Sequence, residues 1–187
     1  MHIAMTYLNA GDKVLVPNPG YPTYTSAVTL ASGVAVKYTL EEENNYLPDL
    51  ESIDTQGVKM MIINYPHMPT GAVATIDDLR KIVDFCRANS ILLLNDNPYG
   101  FIRNSKPISL LQVDGALDVA MELNSLSKRH NMAGWRVGML AASEQRITEV
   151  LRFKSNMDSG MFLPLQLAAA TALGLGQQWY DSQNEEY

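Results

Sequence analysis

One cysteine in 187 residues, Cys86, rules out an intrachain disulfide. Its neighbours Ile82, Val83 and Phe85 place it on an apolar helical face, as a buried structural thiol rather than a nucleophile. Histidine is scarce too: His2, His67 and His130 lie far apart, and no spaced ligand cluster offers a metal site. Long apolar runs are missing, since none reaches the ~18 residues of a membrane span, and no signal peptide is visible. Positive charge is in deficit, with 14 Lys+Arg against 20 Asp+Glu and a net charge of −6. A surface dedicated to nucleic acid needs clustered Lys and Arg, so neither nucleic acid nor membrane is an expected partner. The default expectation is a reducing, cytoplasmic setting.

Apolar residues make up 47% of the chain, enough for the core of one domain, or one domain plus the edge of another. Residues 1–11 read as the tail of a helix stopped at Gly11, and residues 177–187 as the start of another. A natural domain rarely opens on the last turns of a helix, so the chain is expected to be a fragment of a longer protein. Between these ends, Lys13–Pro17, Val34–Leu40, Val58–Asn64, Ser90–Asn95, Asp118–Asn124 and Gly134–Ala142 read as strands. Tyr24–Ser32, closed by Gly33, reads as a helix, as do Thr75–Asn89, Ser143–Met157 and Leu163–Leu175. Near-continuous apolar strands such as VKMMIIN are those covered on both faces. The pattern predicts an α/β fold, a three-layer α/β/α sandwich around a mostly parallel sheet.

Ligands of such sheets sit beyond the carboxyl ends of the strands. Four polar stretches fall there: Pro17-Asn-Pro-Gly-Tyr21, Asn64-Tyr-Pro66, Asn95-Asp96 and Ser125-Leu-Ser-Lys128. Ser125, Ser127 and Arg136 offer the directional hydroxyls and fixed cationic fork that a phosphate monoester needs. Asp96 ends a buried strand, where a carboxylate is expensive without a cationic partner. Tyr99 follows three residues on, so acid and phenol could face one heteroaromatic ligand. The ring of Tyr21, set in a proline-stiffened turn, could stack on a flat one. Taken singly, each has a blander reading: a solvated Ser-Lys pair, a helix-capping Asp, an ordinary Pro/Gly loop.

Together they carry a resemblance. Pro19-Gly-Tyr-Pro-x-Tyr24, then Pro69-Thr-Gly71, then Asp96-Asn-Pro-Tyr99, then Ser-x-Ser-Lys128 with Gly-Trp-Arg136-x-Gly138 resemble, in this order, the motif series of the class I/II aminotransferases. Those are pyridoxal-5′-phosphate enzymes of fold type I, and the resemblance spans about residues 11–175. It implies amino-acid metabolism, with a biosynthetic transferase that moves an amino group from an amino acid to a 2-oxo acid. By this resemblance Lys128 is the Schiff-base (aldimine) lysine and proton carrier. Asp96 is the partner of the pyridine nitrogen and Tyr99 that of the ring 3-oxygen. Ser125, Ser127 and Arg136 hold the phosphate, and Tyr21 stacks on the ring. Residues 1–176 would then be a cofactor-binding large domain lacking its N-terminal part, and 177–187 would lead to a small domain. The full-length protein would be a homodimer, and this fragment alone is expected to be inactive. A lyase on the same scaffold, or the aminotransferase-like sensor domain of a transcription regulator, shares these motifs. One position departs: the family's usual Asn before Pro-Thr-Gly is Met68. Methionine cannot donate to the 3-oxygen, which leaves Tyr99, or His67 or Asn64 swinging in.

Overall fold

The computed structural model describes residues 1–104 and 106–186. Its centre is a six-stranded sheet: β1 (Lys13–Asn18), β2 (Val34–Thr39), β3 (Val58–Ile63), β4 (Leu92–Asp96), β5 (Ala120–Ser125) and β6 (Gly138–Ala141). The spatial order is β2-β1-β3-β4-β5-β6, parallel throughout except for β6, which runs antiparallel to β5. The order reverses about β1, because β2 lies on one side of it and β3 on the other. A crevice opens at such a reversal beyond the carboxyl ends of the strands.

The strands are apolar on both faces because both faces are covered. Leu15, Met61, Ile63 and Leu93 pack against Leu79, Ile82, Val83 and Cys86 of α3 (Ile76–Ala88). Their sequence neighbours Val14, Val16, Met60, Ile62 and Leu94 enter a second cluster on the opposite face. That cluster includes Ile3 and Ala4 of α1 (His2–Tyr7), Val28 of α2 (Thr23–Leu30) and Val150 of α6 (Glu144–Met157). Successive strand side chains point to opposite faces, so one run of sequence fills two cores and the three-layer sandwich follows. Cys86 is fully buried, which pushes its thiol up to about 12, the state of an inert core residue. Thr75 caps α3 in a capping box with Asp78, as its position before the acidic first turn suggests.

Four expectations change. The left-handed residue after α2 is Ser32 (φ 62), not Gly33. The strand predicted from Asp118 begins at Ala120, because 118 and 119 belong to a short helix, α4 (Ala116–Val119). The strand predicted from Gly134 begins at Gly138, since Ala133–Trp135 forms a 3-10 turn and Arg136 turns left-handed (φ 56). Residues 126–129, expected as a plain strand exit, form one helical turn, α5 (Leu126–Arg129). Two further helices follow, α7 (Leu163–Leu173) and α8 (Gln177–Glu186); Tyr187 lies outside the described residues. Tyr180 of α8 stacks on Phe101 with ring centroids 4.9 Å apart, and Gln183 donates to the Lys128 carbonyl at 3.1 Å.

Candidate active site

Beyond the carboxyl ends of β1, β3, β4 and β5 lies a cavity of about 360 Å³. All eight residues singled out in the sequence line it. Tyr21 comes from the loop after β1, Met68 from the loop after β3, and Asp96 and Tyr99 from the end of β4. Ser125, Ser127, Lys128 and Arg136 come from the reversal between β5 and β6. Tyr24 and Asn64, to which sequence reasoning gave no settled role, line it as well.

The acidic side is built by β4. Asp96 is half-buried and accepts the Tyr24 hydroxyl on Oδ2 at 2.8 Å. Burial pushes its carboxyl above the ordinary value, with the Tyr24 hydrogen bond pulling the other way. Burial first, and then the neighbouring carboxylate, hold the Tyr24 phenol well above its usual range, so it stays a donor. A carboxylate destabilised by burial gains most from a cationic partner in the cavity. Tyr24 could have been found in the sequence: it follows Tyr21 by three residues at a helix start, a spacing that puts both rings on one side. The two rings meet edge to face, centroids 5.7 Å apart at 82°. Gly20 makes this turn possible, since a Cβ there would lie 2.5 Å from the Pro17 carbonyl oxygen.

The cationic side is one short excursion of chain. Ser125 pairs with Gly138 across β5 and β6, and the Leu126 N–H donates to the Val137 carbonyl at 3.1 Å. Everything from 126 to 137 is therefore a closed loop over the edge of the sheet. Ser125 caps α5 by accepting the Ser127 N–H at 3.1 Å. Lys128 is exposed toward the cavity, its Nζ 6.0 Å from the centre of the Tyr99 ring. Arg136 is held by a bond from Nη1 to the Ala133 carbonyl at 2.8 Å. Its left-handed backbone is unusual for a residue other than glycine, and such conformations gather at functional sites.

Met68 stands at the cavity wall. Its N–H donates to Asn64 Oδ1 at 2.9 Å, while Asn64 Nδ2 donates to the Asp96 carbonyl at 2.5 Å. Asn64 is thus already in the wall and has one N–H left to offer. His67 does not line this cavity: its Nδ1 pairs with the Thr70 hydroxyl at 2.8 Å and it faces the neighbouring cavity.

The donor set has a definite chemistry. A carboxylate and a phenol occupy one side, an amine lies between, and two hydroxyls with a guanidinium occupy the other. It fits a flat cationic heterocycle bearing a phenolic oxygen, an aldehyde and a phosphate. The size fits as well, within the several-hundred-Å³ range of small-molecule sites.

Comparison with known proteins points to one family. The family described as aminotransferase class I and II matches residues 1–186. The LL-diaminopimelate aminotransferase of Natranaerobius thermophilus is 44% identical over 177 residues, covering 92% of this chain and 46% of that protein. That of Aquifex aeolicus is 39% identical, covering 100% of this chain and 49% of its own. The chain thus spans about half the length of the curated relatives it matches. Among solved structures, substrate-bound BacF from Bacillus subtilis superposes with a TM-score of 0.95 at 40% identity, over 98% of this chain and 48% of BacF. An aminotransferase from Staphylococcus aureus superposes with a TM-score of 0.93 at 33% identity, over 98% of this chain and 50% of its own. With its sheet order, its cavity and its relatives in agreement, this chain belongs to the class I and II aminotransferases.

Proposed function

We propose that this chain carries the pyridoxal-5′-phosphate-binding core of an enzyme that transfers an amino group from an amino acid to a 2-oxo acid. The observation that supports it best is the gathering of Asp96, Tyr99, Lys128 and Arg136 around one cavity from two separate stretches of sequence. When bound, the cofactor supplies an electron sink for the carbanion formed at the substrate Cα. The rest falls to the chain. Asp96 holds a positive charge at the ring nitrogen, with Tyr24 fixing the carboxylate. Tyr99 donates to the ring oxygen and Tyr21 covers the ring face. Ser125, Ser127 and Arg136 grip the phosphate. Lys128 Nζ would hold the cofactor and carry the proton that leaves the substrate Cα. In this reading residues 1–176 form the cofactor-binding unit and 177–187 open the connection to a second one.

The relatives at 39–44% identity are named for LL-diaminopimelate, so that amino acid heads the panel of donors to be tried. We propose further that the active enzyme is a cytoplasmic homodimer. Phe162, Leu163 and Leu167 are 70%, 61% and 61% exposed, which supports an apolar face suited to a second subunit. Among the described residues no helix is long and apolar enough to cross a membrane.

The direct test is to add pyridoxal phosphate, follow its absorbance, reduce with borohydride and map the labelled peptide. Label on Lys128 is expected; label spread over surface lysines would refute the assignment. A second experiment addresses Met68. Restoring an amide donor in Met68→Asn adds a hydrogen bond to a charged oxygen, which is worth about 1.5–3 kcal/mol. The pH midpoint of the bound cofactor's absorbance should therefore move by roughly one to two units. Identical titration curves would show that Met68 has no bearing on that oxygen.

A further inference from the structure

The side chains of Asn95 and Asn97, on either side of Asp96, turn away from the cavity and meet a carboxylate that none of the roles above uses. Glu122, on β5, is 2% exposed. Its Oε2 accepts Asn95 Nδ2 at 3.0 Å and the Leu110 N–H at 2.8 Å. Its Oε1 accepts Asn124 Nδ2 at 3.1 Å and Asn97 Nδ2 at 3.4 Å. Among the described residues no cation forms an ion pair with it. Burying a carboxylate on dipoles alone is expensive, so its place here asks for a reason.

The four donors share one property. Asn95 and Asn97 flank Asp96, and Asn124 immediately precedes Ser125. Leu110 closes the loop that begins at Asn97 and carries Tyr99. Asn95 also accepts the Tyr65 N–H on Oδ1 at 3.2 Å, extending the network to the end of β3. Because side chains alternate across a strand, gripping 95 and 97 from one face sets the angle at which 96 leaves the other. The same holds for 124 and Ser125.

We propose that Glu122 is a positioning residue that locks the Asp96 arm and the Ser125 arm of the site to each other. The proposal rests on the cofactor reading above. Only an acceptor-only group with about four lone-pair sites can take four N–H donors at once. Glutamine has the same shape but turns an N–H₂ toward other N–H groups.

The test compares Glu122→Gln with the unaltered chain. Three quantities are read: the dissociation constant for pyridoxal phosphate, the pH midpoint of the bound cofactor's absorbance, and amide exchange at Asn97 and Leu110 without cofactor. Affinity is expected to fall about tenfold or more, as when a group that orients a ligand is lost. The midpoint should shift as Asp96 moves against the ring nitrogen, a change that general loosening of the fold would not produce. Exchange at Asn97 and Leu110 should quicken while the α3 amides keep their protection. If Glu122→Gln does not fold, Asn124→Ala removes one donor at a half-buried position and should show the same signs at smaller size. A folded variant with unaltered affinity and midpoint overturns the proposal alone. An unaltered chain that does not bind the cofactor overturns the reading of the cavity, and this proposal with it.

Discussion

Lys128→Ala protein, incubated with pyridoxal phosphate and reduced with borohydride, is expected to carry no label in the peptide spanning residues 126–137. The unaltered chain should be labelled there. Lys128 is the amine that lines the cavity, and it stands on the loop whose ends are tied by Ser125 and Gly138. Alanine removes the nucleophile while leaving the turn intact, since α5 is held by the Ser125 cap and not by the lysine side chain. The phosphate grip survives, so reversible binding should persist in weakened form. In an active enzyme the same change removes the proton carrier as well, and positioned proton transfer alone contributes about 10²–10⁴ in rate. An adduct that persists in this variant would assign capture to another lysine and end the role proposed for Lys128.

Asp96→Asn should separate binding from stability. Burial raises the folded-state pKa of this carboxyl above its ordinary value. Without a cationic ligand the chain therefore loses stability as pH climbs from the ordinary carboxylate range to that raised value, and the full penalty holds above it. Asparagine keeps an acceptor for the Tyr24 hydroxyl and carries no charge to desolvate. The cofactor-free variant should melt at or above the unaltered chain at neutral pH, by about 2–4 °C for each ~1 kcal/mol recovered. Its melting point should also be flatter across the acid range. Cofactor affinity moves the opposite way: losing a charge-assisted bond worth about 1.5–3 kcal/mol weakens it roughly ten- to hundredfold. Both follow from thermal melts against pH and an absorbance titration. A variant that melts lower yet binds as well would show Asp96 to be a structural acid.

Periodicity was enough to read most of this architecture. The runs read as Lys13–Pro17, Val58–Asn64 and Ser90–Asn95 are nearly continuously apolar because each feeds two cores, and their limits fall within two residues of the strands formed. The reading failed where local geometry overrides apolarity. Gly134-Trp135-Arg136 looks like the start of a strand, but Arg136 turns left-handed and delays β6 to Gly138. Ser32 takes the helix-ending conformation that glycine normally supplies, so Gly33 was a misleading stop sign. The site followed the same division. Residues in contiguous motifs, such as Ser125, Ser127 and Lys128, could be picked out directly. Glu122 could not, because its meaning lies in contacts to Asn95, Asn97 and Leu110, twelve to twenty-seven positions away along the chain. In sequence it is one acid in an apolar strand.

The loop closed by Ser125 and Gly138 also bears on the order in which the site comes into being. It joins residues only a short way apart in the chain, so closing it costs little entropy and can precede the rest. The contact between Tyr24 and Asp96 spans 72 residues and cannot form until β1, β3 and β4 are all side by side. The Lys128 side of the cavity is therefore early and local, while the Asp96 side is late and global. A cofactor that requires both ends recognises only the finished sheet, and its binding stabilises that state over every partly assembled one.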